Sequence, residues 1–219
     1  MHVPKVSNQP TIKRLPSYLH IIETAQRDGK EYISGTVIAE ELKLEPIQVR
    51  KDLALTGIVG KPRIGFPVDE LIRAIYSFLE WDREHRAIIV GAGNLGTALM
   101  GYREFSRRGM SIVAAFDLDK TKIGNSQHGT PVFSLGQMSE KIAELNVDMA
   151  ILTVPSGHAQ AVADLLVRAG IRAIWNFTNI KLKVPEEVIV QKEDLSSGYA
   201  VLSVKMRLAN AEKAQVEAS

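Results

Sequence analysis

The spacing of apolar residues changes near residue 80 and divides the chain into two regions. Before that point, apolar residues recur at intervals of three or four, as at Ile12, Leu15, Leu19 and Ile22, which is typical of amphipathic helices. Beyond it, short apolar runs alternate with amphipathic segments, as in a parallel sheet covered by helices. The pattern predicts an α-helical first domain and an α/β second domain.

The first region contains four predicted helices. The first, in "TIKRLPSYLHIIETAQRDGK", ends at Gly29 and contains Pro16, which either kinks the helix or lies near its true start. The second, in "ISGTVIAEELKLE", has Val37, Ile38 and Leu42 facing inward. The third lies in "PIQVRKDLALTG" and the fourth in "VDELIRAIYSFLEW". Short helices with a tight connection between the second and third predict a helix-turn-helix.

Between the third and fourth helices lies "GIVGKPRIGFPV", which is rich in glycine, and we interpret it as a β wing. A recognition helix and a wing need donors for phosphates and base edges. We therefore predict a winged helix-turn-helix DNA-binding domain over residues 1–80. Its candidate DNA-binding residues are Lys13, Arg14, Gln48, Arg50, Lys51, Lys61 and Arg63.

The second region opens with an apolar run, "AIIV", that leads directly into "GAGNLG". This G-x-G-x-x-G turn between a strand and a helix is typical of dinucleotide sites. Its glycines make a tight turn, let backbone approach a pyrophosphate, and let the helix pack on the strand. The following helix is predicted in "TALMGYREF" and the next strand in "SIVAAFD". That strand ends at Asp117, where a carboxylate would bind the adenosine ribose and favour NAD(H) over NADP(H).

Further strands are predicted in "VDMAILTVP", "IRAIWNF" and "EEVIVQKEDL", with a helix in "HAQAVADLLVRAG". We therefore predict a Rossmann doubly wound parallel sheet over residues 81–194. Ligands of such sheets bind beyond the carboxyl ends of the strands. The candidate cofactor-binding residues from the turn and strand ends are Gly91, Ala92, Gly93, Asn94, Leu95, Gly96, Asp117, Thr153, Val154, Pro155, Asn176 and Phe177.

A last helix is predicted over residues 195–219, with Leu195, Tyr199, Leu202, Met206 and Ala209 on one apolar stripe. An apolar helix face needs a cover. The residues alone leave open whether the helix's own domain or a second subunit provides it.

Composition narrows the function further. The chain has 219 residues and no cysteine, which excludes disulfides, thiolate metal ligands and thiol redox switches. We predict no metal site. No apolar run approaches the roughly 20 residues of a membrane-spanning helix, and the N-terminus lacks the apolar core of a signal peptide, so we expect a cytoplasmic protein. A net charge of +2 alone does not indicate nucleic acid.

The chain resembles the Rex family of bacterial redox-sensing transcriptional repressors. The resemblance extends from about Pro10 to about Met206 and depends on "TIKRLPSYL", "QVRKDL", "VGAGNLGTALMGY", "AAFDLD", "VPSGHAQ", "GIRAIWNF" and "DLSS" together. It implies a repressor, not an enzyme, that binds NADH and NAD+ and is released from inverted-repeat operator DNA by NADH. It also implies a homodimer in which the C-terminal helix inserts between the domains of the partner.

The resemblance implies a switch of three residues, in which Asp194 pairs with Arg14 in the DNA-binding state and with Tyr102 when NADH is bound. Tyr102 is thereby also a candidate cofactor-binding residue. The chain departs from the usual family pattern at Leu55 and Thr56, at Pro62 and Arg63, in "NFTN" and in its longer polar tail. The first two departures bear on DNA preference and the third on the pocket.

Two alternatives follow from the same residues. An NAD-dependent dehydrogenase needs a proton donor or base near the nicotinamide, and His158 is the candidate. A coenzyme A-binding module is the other alternative, because similar Rossmann domains hold that cofactor.

Overall fold

The computed structural model describes residues 8–217, without the side chains of Leu195 and of residues 212–217. It forms two compact units. The N-terminal unit contains the described residues up to Glu84 together with Glu104–Met110. The Rossmann unit contains His85–Arg103 and the described chain from Ser111 onward. The first boundary lies between Glu84 and His85, whereas the sequence predicted it between residues 80 and 81, and residues 104–110 additionally pack with the N-terminal unit.

Up to Glu84, the N-terminal unit consists of four helices and a two-stranded antiparallel sheet, and a fifth, short helix at Glu104–Arg107 also belongs to it. Its elements are α1 (Gln9–Arg27), β1 (Tyr32–Ile33), α2 (Gly35–Leu42), α3 (Pro46–Ala54), β2 (Phe66–Pro67) and α4 (Val68–Phe78). α1 continues through Pro16. The predicted stripe of α1 is largely confirmed, because Leu15, Leu19 and Ile22 are fully buried.

The short helix α2 begins at a cap, because the hydroxyl of Ser34 accepts a hydrogen bond from the backbone N–H of Val37. The prediction that Val37 faces inward is wrong, since the side chain is exposed. Ile38 and Ala39 are buried instead. Because the cap at Ser34 fixes where α2 begins, Ile38 and Ala39 lie on the inner face of the helix and Val37 does not.

The wing, residues 57–68, is a tight loop carrying a single bridge between Lys61 and Gly65. The Lys61 N–H donates to the Gly65 carbonyl at 2.7 Å, and the Gly65 N–H donates back at 3.0 Å. β2, at the end of the loop, pairs with β1 in antiparallel register, with Ile33 opposite Phe66. The predicted β wing is therefore present, although most of its length is loop.

The Rossmann unit is a seven-stranded sheet with helices packed on it. Its elements are β3 (His85–Val90), α5 (Asn94–Met100), β4 (Met110–Asp117), β5 (Ser126–Gln127), β6 (Thr130–Ser134), a 3₁₀ helix (Leu135–Gln137), α7 (Met138–Glu144), β7 (Met149–Leu152), α8 (Ser156–Arg168), β8 (Ala173–Asn176), β9 (Ile189–Lys192) and α9 (Leu195–Glu217). The helix α6 (Glu104–Arg107) lies between α5 and β4 in the sequence but belongs to the N-terminal unit.

The strand order is β5-β6-β4-β3-β7-β8-β9. β4–β6, β3–β7, β7–β8 and β8–β9 are parallel pairs, and β5 pairs antiparallel with β6. The parallel strands follow the doubly wound order of dinucleotide-binding sheets, whose ligand crevice lies where the order reverses. Here that point is between β3 and β7.

The strand interiors are apolar because helices cover them. Ile88, Ala114, Phe116, Ala150 and Ile174 belong to one buried cluster with residues from α7 and α8. The fold agrees with the predicted α/β class and its parallel sheet.

Two differences concern local elements. The helix predicted in "TALMGYREF" ends at Met100, with Gly101 as its cap, and α6 begins only at Glu104. The sequence prediction also left out β5, β6 and α7, which are short and partly exposed.

Candidate functional site

The glycine turn joins β3 to α5. Gly91 has φ +104°, and a Cβ there would lie 2.9 Å from the Thr153 carbonyl carbon. A Cβ on Gly96 would overlap the carbonyl oxygen of Gly91. The Thr153 hydroxyl, just after β7, donates to that same carbonyl at 2.8 Å. Glycine is thus required where the turn, the helix and the neighbouring strand meet, whereas a Cβ on Gly93 would meet nothing within 4 Å.

Asp117 lies at the end of β4 and orders the glycine turn. Its Oδ2 accepts from the backbone N–H of Ala92 at 2.8 Å and from Lys122 Nζ at 3.3 Å. Its Oδ1 accepts from the Asp119 N–H at 2.9 Å. Its side chain keeps 15% exposure. The carboxylate expected to meet a ribose is therefore held in place by backbone, and a cation lies beside it.

A cleft of about 440 Å³ opens at the carboxyl ends of β3, β4 and β7. It is lined by Val90, Gly91, Gly93, Phe116, Asp117, Leu118, Lys122, Leu135, Thr153, Val154, Pro155, His158 and Val162. Six of the predicted cofactor-binding residues are among these. The apolar walls and Lys122 were missing from the site prediction, although Phe116 and Leu118 flank Asp117 in the sequence.

The other predicted residues lie elsewhere in the unit. The glycine turn leads into α5, whose first helical turn is formed by Asn94, Leu95 and Gly96. Tyr102 follows α5 and is 54% exposed. Phe177 lies after β8 with its ring 5.0 Å from that of Trp175.

Asn176 has a structural role in this unit. It is fully buried at the end of β8. Its Oδ1 accepts from the N–H and the hydroxyl of Thr178, at 2.9 and 2.7 Å, and its Nδ2 donates to the Ile180 carbonyl. The side chain therefore fixes the loop after β8, and it is not among the residues that line the cleft.

In the N-terminal unit, α1 is braced against α3 by a buried carboxylate. Asp52 of α3 is 4% exposed. It accepts hydrogen bonds from Thr11 Oγ1 at 2.8 Å, Tyr18 OH at 2.6 Å, Arg14 Nε at 2.7 Å and Arg14 Nη2 at 2.9 Å. The Gln48 amide, with its oxygen toward Arg14, accepts from the same guanidinium at 3.2 Å. We call Thr11, Arg14, Tyr18, Gln48 and Asp52 the helix brace.

The brace shifts the protonation equilibria of its members. Burial favours the neutral carboxyl, but the hydrogen bonds from Arg14, Tyr18 and Thr11 outweigh it and lower the pKa of Asp52. Burial, followed by the hydrogen bond to Asp52, raises the pKa of Tyr18 to about 12. The hydrogen bond to Asp52 is the main reason why the pKa of Arg14 is raised. At neutral pH, the brace therefore contains an ion pair whose carboxylate is buried and whose guanidinium is partly exposed.

The remaining DNA-binding candidates are on the surface of the unit. Lys13, Arg50, Lys51 and Arg63 are exposed, and Arg63 is at the turn of the wing with φ +62°. The Lys61 Nζ, also exposed, donates to Tyr32 OH at 2.6 Å. The hydrogen bond to that hydroxyl raises the pKa of Lys61. The recognition helix and the wing thus present cations, whereas the guanidinium of Arg14 faces the brace.

Asp194 precedes α9 and caps it. Its Oδ1 accepts from the N–H of Ser196 at 3.0 Å and from the hydroxyl of the same residue. The side-chain hydrogen bond from Ser196 lowers the pKa of Asp194. The carboxylate is exposed, and its exchange between Arg14 and Tyr102 stays a prediction.

Along α9, Tyr199, Leu202 and Met206 of the predicted stripe are all more than half exposed. The side chain of Leu195 lies outside the described residues. A second stripe, Val201, Val204 and Leu208, is similarly exposed.

No helix within residues 8–217 combines the length and apolar character needed to cross a membrane. Over the same described range, no group of three or more His, Asp or Glu side chains is arranged to hold a metal ion.

Two family models match the chain. Residues 5–54 match the model described as "Putative DNA-binding protein N-terminus", and residues 82–180 match "CoA binding domain". The first match covers α1 to α3 and the second covers the glycine turn and the strands around the cleft. The two models thus correspond to the two predicted functional regions.

The chain is similar to RSP, described as a Rex-family repressor, in its crystal structure: the TM-score is 0.85 and the identity 32%, over 96% of this chain and 98% of that one. A crystal structure of RSP with β-NAD+ and operator DNA gives a TM-score of 0.86 and 33% identity, over 96% and 97% of the two chains. These likenesses confirm the predicted winged-helix and Rossmann fold class.

Two relatives match most of the chain. The chain is 60% identical over 202 residues to the redox-sensing transcriptional repressor Rex of Treponema denticola, covering 92% of this chain and 96% of that protein. It is 38% identical over 194 residues to Rex of Bacteroides fragilis, covering 89% and 88%. This chain is therefore a member of the Rex family of redox-sensing transcriptional repressors.

Proposed function

We propose that this protein is a homodimeric repressor that binds inverted-repeat operator DNA and is released by NADH, so that transcription follows the NADH/NAD+ balance. The observation that carries the proposal is the union of a winged-helix unit and a dinucleotide cleft in one chain that matches Rex over 92% of its length. RSP has been crystallised with β-NAD+ and operator DNA and with β-NADH.

The exposed cations of α3 and the wing are suited to the DNA backbone. Lys51 and Arg50 of α3 and Arg63 of the wing are exposed, while Val49 and Leu53 anchor the helix in the core. Lysine and arginine contacts to phosphate supply most of the sequence-independent affinity. Gln48, on the same helix, has an amide that is able to pair with base edges. Lys13 and Lys61 are the flanking phosphate candidates.

The cleft is suited to a dinucleotide at the point where the strand order reverses. The open space at Gly93 leaves room for a pyrophosphate close to the backbone. Asp117 is the candidate for the adenosine ribose, and we infer a preference for NADH over NADPH because a carboxylate repels a 2′-phosphate. Lys122, at 3.3 Å from the carboxylate, reduces that repulsion. Val154 and Pro155 are suited to the nicotinamide end.

We infer that the protein is a regulator and not an enzyme. Its relatives are named transcriptional repressors. His158 lines the cleft from the first turn of α8 and is exposed. A histidine at the start of a helix is more often a surface residue than a catalytic proton donor. We place the protein in the cytoplasm, where a bacterial repressor meets its operator.

One observation favours a second ligand. Residues 82–180 match the model described as a CoA binding domain. A thermal-shift panel of coenzyme A, NAD+, NADH and NADPH separates the two, because a ligand stabilises the native state according to its affinity. We expect NADH to give the largest shift, and stabilisation by coenzyme A alone would contradict the NADH proposal.

The decisive experiment is fluorescence anisotropy of a labelled inverted-repeat duplex from the gene's own upstream region, titrated with protein and then with NADH or NAD+. We expect specific binding that NADH reverses and NAD+ does not. Tight binding that ignores NADH would leave a DNA-binding protein with another effector. Hydride transfer to a small carbonyl substrate would support the dehydrogenase alternative.

A further inference from the structure

Residues 104–110 belong to one unit by packing and are joined to the other at both ends. They lie with the N-terminal unit, while α5 before them and most of β4 after them belong to the Rossmann unit. α5 begins at the glycine turn, and β4 ends at Asp117. The segment therefore connects the two elements that start and end at the candidate cofactor cleft. We call residues 104–110 the strap.

Arg108 anchors the strap between α1 and α4. Its Nη1 donates to Glu23 Oε1 at 2.7 Å and to Tyr76 OH at 2.7 Å, and its Nη2 donates to Glu23 Oε2 at 3.2 Å. The guanidinium carbon is 5.4 Å from the centroid of the Tyr76 ring and 5.2 Å from that of the Trp81 ring. Only 17% of the side chain is exposed. A guanidinium with a two-oxygen ion pair and two aromatic neighbours has a defined position.

A second contact fixes the backbone of the strap. Gly109 has φ +80°, and a Cβ there would overlap the carbonyl oxygen of Arg83 and lie 2.8 Å from that of Trp81. The strap backbone thus passes directly against the end of the N-terminal unit. Side chain and backbone together attach it to α1, α4 and the residues that follow α4.

We propose that Arg108 is a positioning residue for the redox response, holding the strap so that a change in α5 or β4 on NADH binding is passed to the DNA-binding unit. Packed side chains and ion pairs are able to carry energetic coupling between sites, and the strap is anchored in one unit while continuing covalently into both cleft elements of the other. This inference rests on the proposed function, because its main readout is the effect of NADH on DNA binding.

The test compares Arg108→Gln with Arg107→Gln in the full-length protein. Arg107 is the adjacent arginine, but its side chain is 72% exposed and pairs within its own turn with Glu104 at 2.8 Å. For each protein, three quantities are measured: the Kd for NADH, the Kd for the operator duplex without cofactor, and the operator Kd at saturating NADH. The ratio of the last two is the coupling.

For Arg108→Gln, we expect the Kd for NADH and the Kd for the operator without cofactor to stay within about threefold of wild type. We expect the coupling ratio to fall to within about threefold of one, whereas typical allosteric couplings are about 5- to 150-fold. Arg107→Gln should retain wild-type coupling. A folded Arg108→Gln protein with wild-type coupling would overturn the proposal. If this variant does not fold, Tyr76→Phe, which removes one hydroxyl from the cluster, takes its place and should lower the coupling partly.

The wild-type arm separates this inference from the proposed function. If NADH does not affect DNA binding by the wild-type protein, the proposed function fails, and the strap is judged by hydrogen exchange instead. Leu71→Ala destabilises the core of the N-terminal unit, where Leu71 is fully buried. The amides of 104–110 should lose protection together with those of α1 and α4. If the amides of the strap instead stay as protected as those of β3 in the Rossmann unit, the assignment of the strap to the N-terminal unit would be overturned.

Discussion

At the scale of single residues, Asp52 shows how a polar side chain determines the position of a helix. Its neighbours in the sequence are basic or apolar, yet its carboxylate is buried and accepts four hydrogen bonds from α1. A buried carboxylate needs such partners, because desolvation is costly. The same contacts hold the guanidinium of Arg14. A contact from Arg14 to Asp194, as the family resemblance implies, would compete with Asp52.

Replacing Asp52 by Asn should destabilise the N-terminal unit. The substitution leaves Arg14 without its carboxylate, and breaking a buried ion pair costs about 3 kcal/mol. Urea unfolding followed by circular dichroism measures the loss. The matched change Asp82→Asn, at an exposed aspartate, should alter the free energy of unfolding by less than about 0.5 kcal/mol. An equal effect of both substitutions would show that the brace does not stabilise the unit.

The pKa of Asp52 also predicts a dependence of stability on acid. Because the pKa is lower in the folded protein than the usual value of 3.8, the ion pair stabilises the fold above about pH 4, and this contribution disappears as the pH falls through the folded pKa. Unfolding midpoints between pH 7 and pH 2.5 should therefore fall more steeply for wild type than for Asp52→Asn. Parallel curves for the two proteins would contradict the assignment.

At the scale of elements, the glycine turn is built from three glycines with different surroundings. Gly91 and Gly96 lie against backbone and Thr153, whereas Gly93 faces open space with φ −76°, a value that alanine also adopts. Gly91 and Gly96 serve the packing of α5 on the sheet. Gly93 leaves the space that we propose for the pyrophosphate.

Alanine substitutions should separate these two roles. Gly96→Ala places a methyl group against the Gly91 carbonyl and should lower the stability of the Rossmann unit by about 1–3 kcal/mol, as overpacking does. Gly93→Ala should leave the unfolding midpoint nearly unchanged but weaken NADH binding by about tenfold or more, or 1.4 kcal/mol, because its methyl group occupies the space proposed for the pyrophosphate. Thermal unfolding and titration of NADH fluorescence measure the two effects. Normal NADH affinity in Gly93→Ala would place the cofactor elsewhere.

The sequence was sufficient to predict elements with strong local signals. The turn at Gly91, the strand ending at Asp117 and helix α8 all follow from short-range patterns, and the structure contains them. β6 and α7 were left out because short, partly exposed elements lack a clear apolar period. The break after Met100 was also left out, because it depends on Gly101 as a helix cap rather than on a change of polarity.

Contacts between distant residues were beyond prediction from sequence. Asp52 meets its partners 34 to 41 residues away, and Arg108 meets Glu23 across 85 residues. Both were indistinguishable from solvated charges in the sequence. Asn176 was predicted at the cleft from its place at a strand end, but the Thr178 and Ile180 groups that bury it depend on the path of the following loop.

At the scale of the whole molecule, the apolar side chains of α9 are not covered by the described part of the chain. Its described side chains form two exposed stripes, Tyr199–Leu202–Met206 and Val201–Val204–Leu208, beside a polar side with Ser203 and Arg207. A helix exposing so much apolar surface needs a partner. An inverted-repeat operator likewise calls for two copies of the reading unit related by twofold symmetry. A homodimer formed through α9 would satisfy both requirements.

Leu202→Glu should therefore disrupt the dimer. Burying an unpaired carboxylate in an apolar interface costs several kcal/mol, so sedimentation equilibrium should show a monomer where wild type shows a dimer. Ala200→Glu adds the same charge on the polar side of α9, and that variant should remain dimeric. Without the second subunit, Leu202→Glu should bind a half-site duplex and the full inverted repeat with similar affinity, because the second recognition helix no longer contributes. A dimeric Leu202→Glu protein would show that Leu202 lies outside the dimer interface and would contradict a homodimer formed through α9.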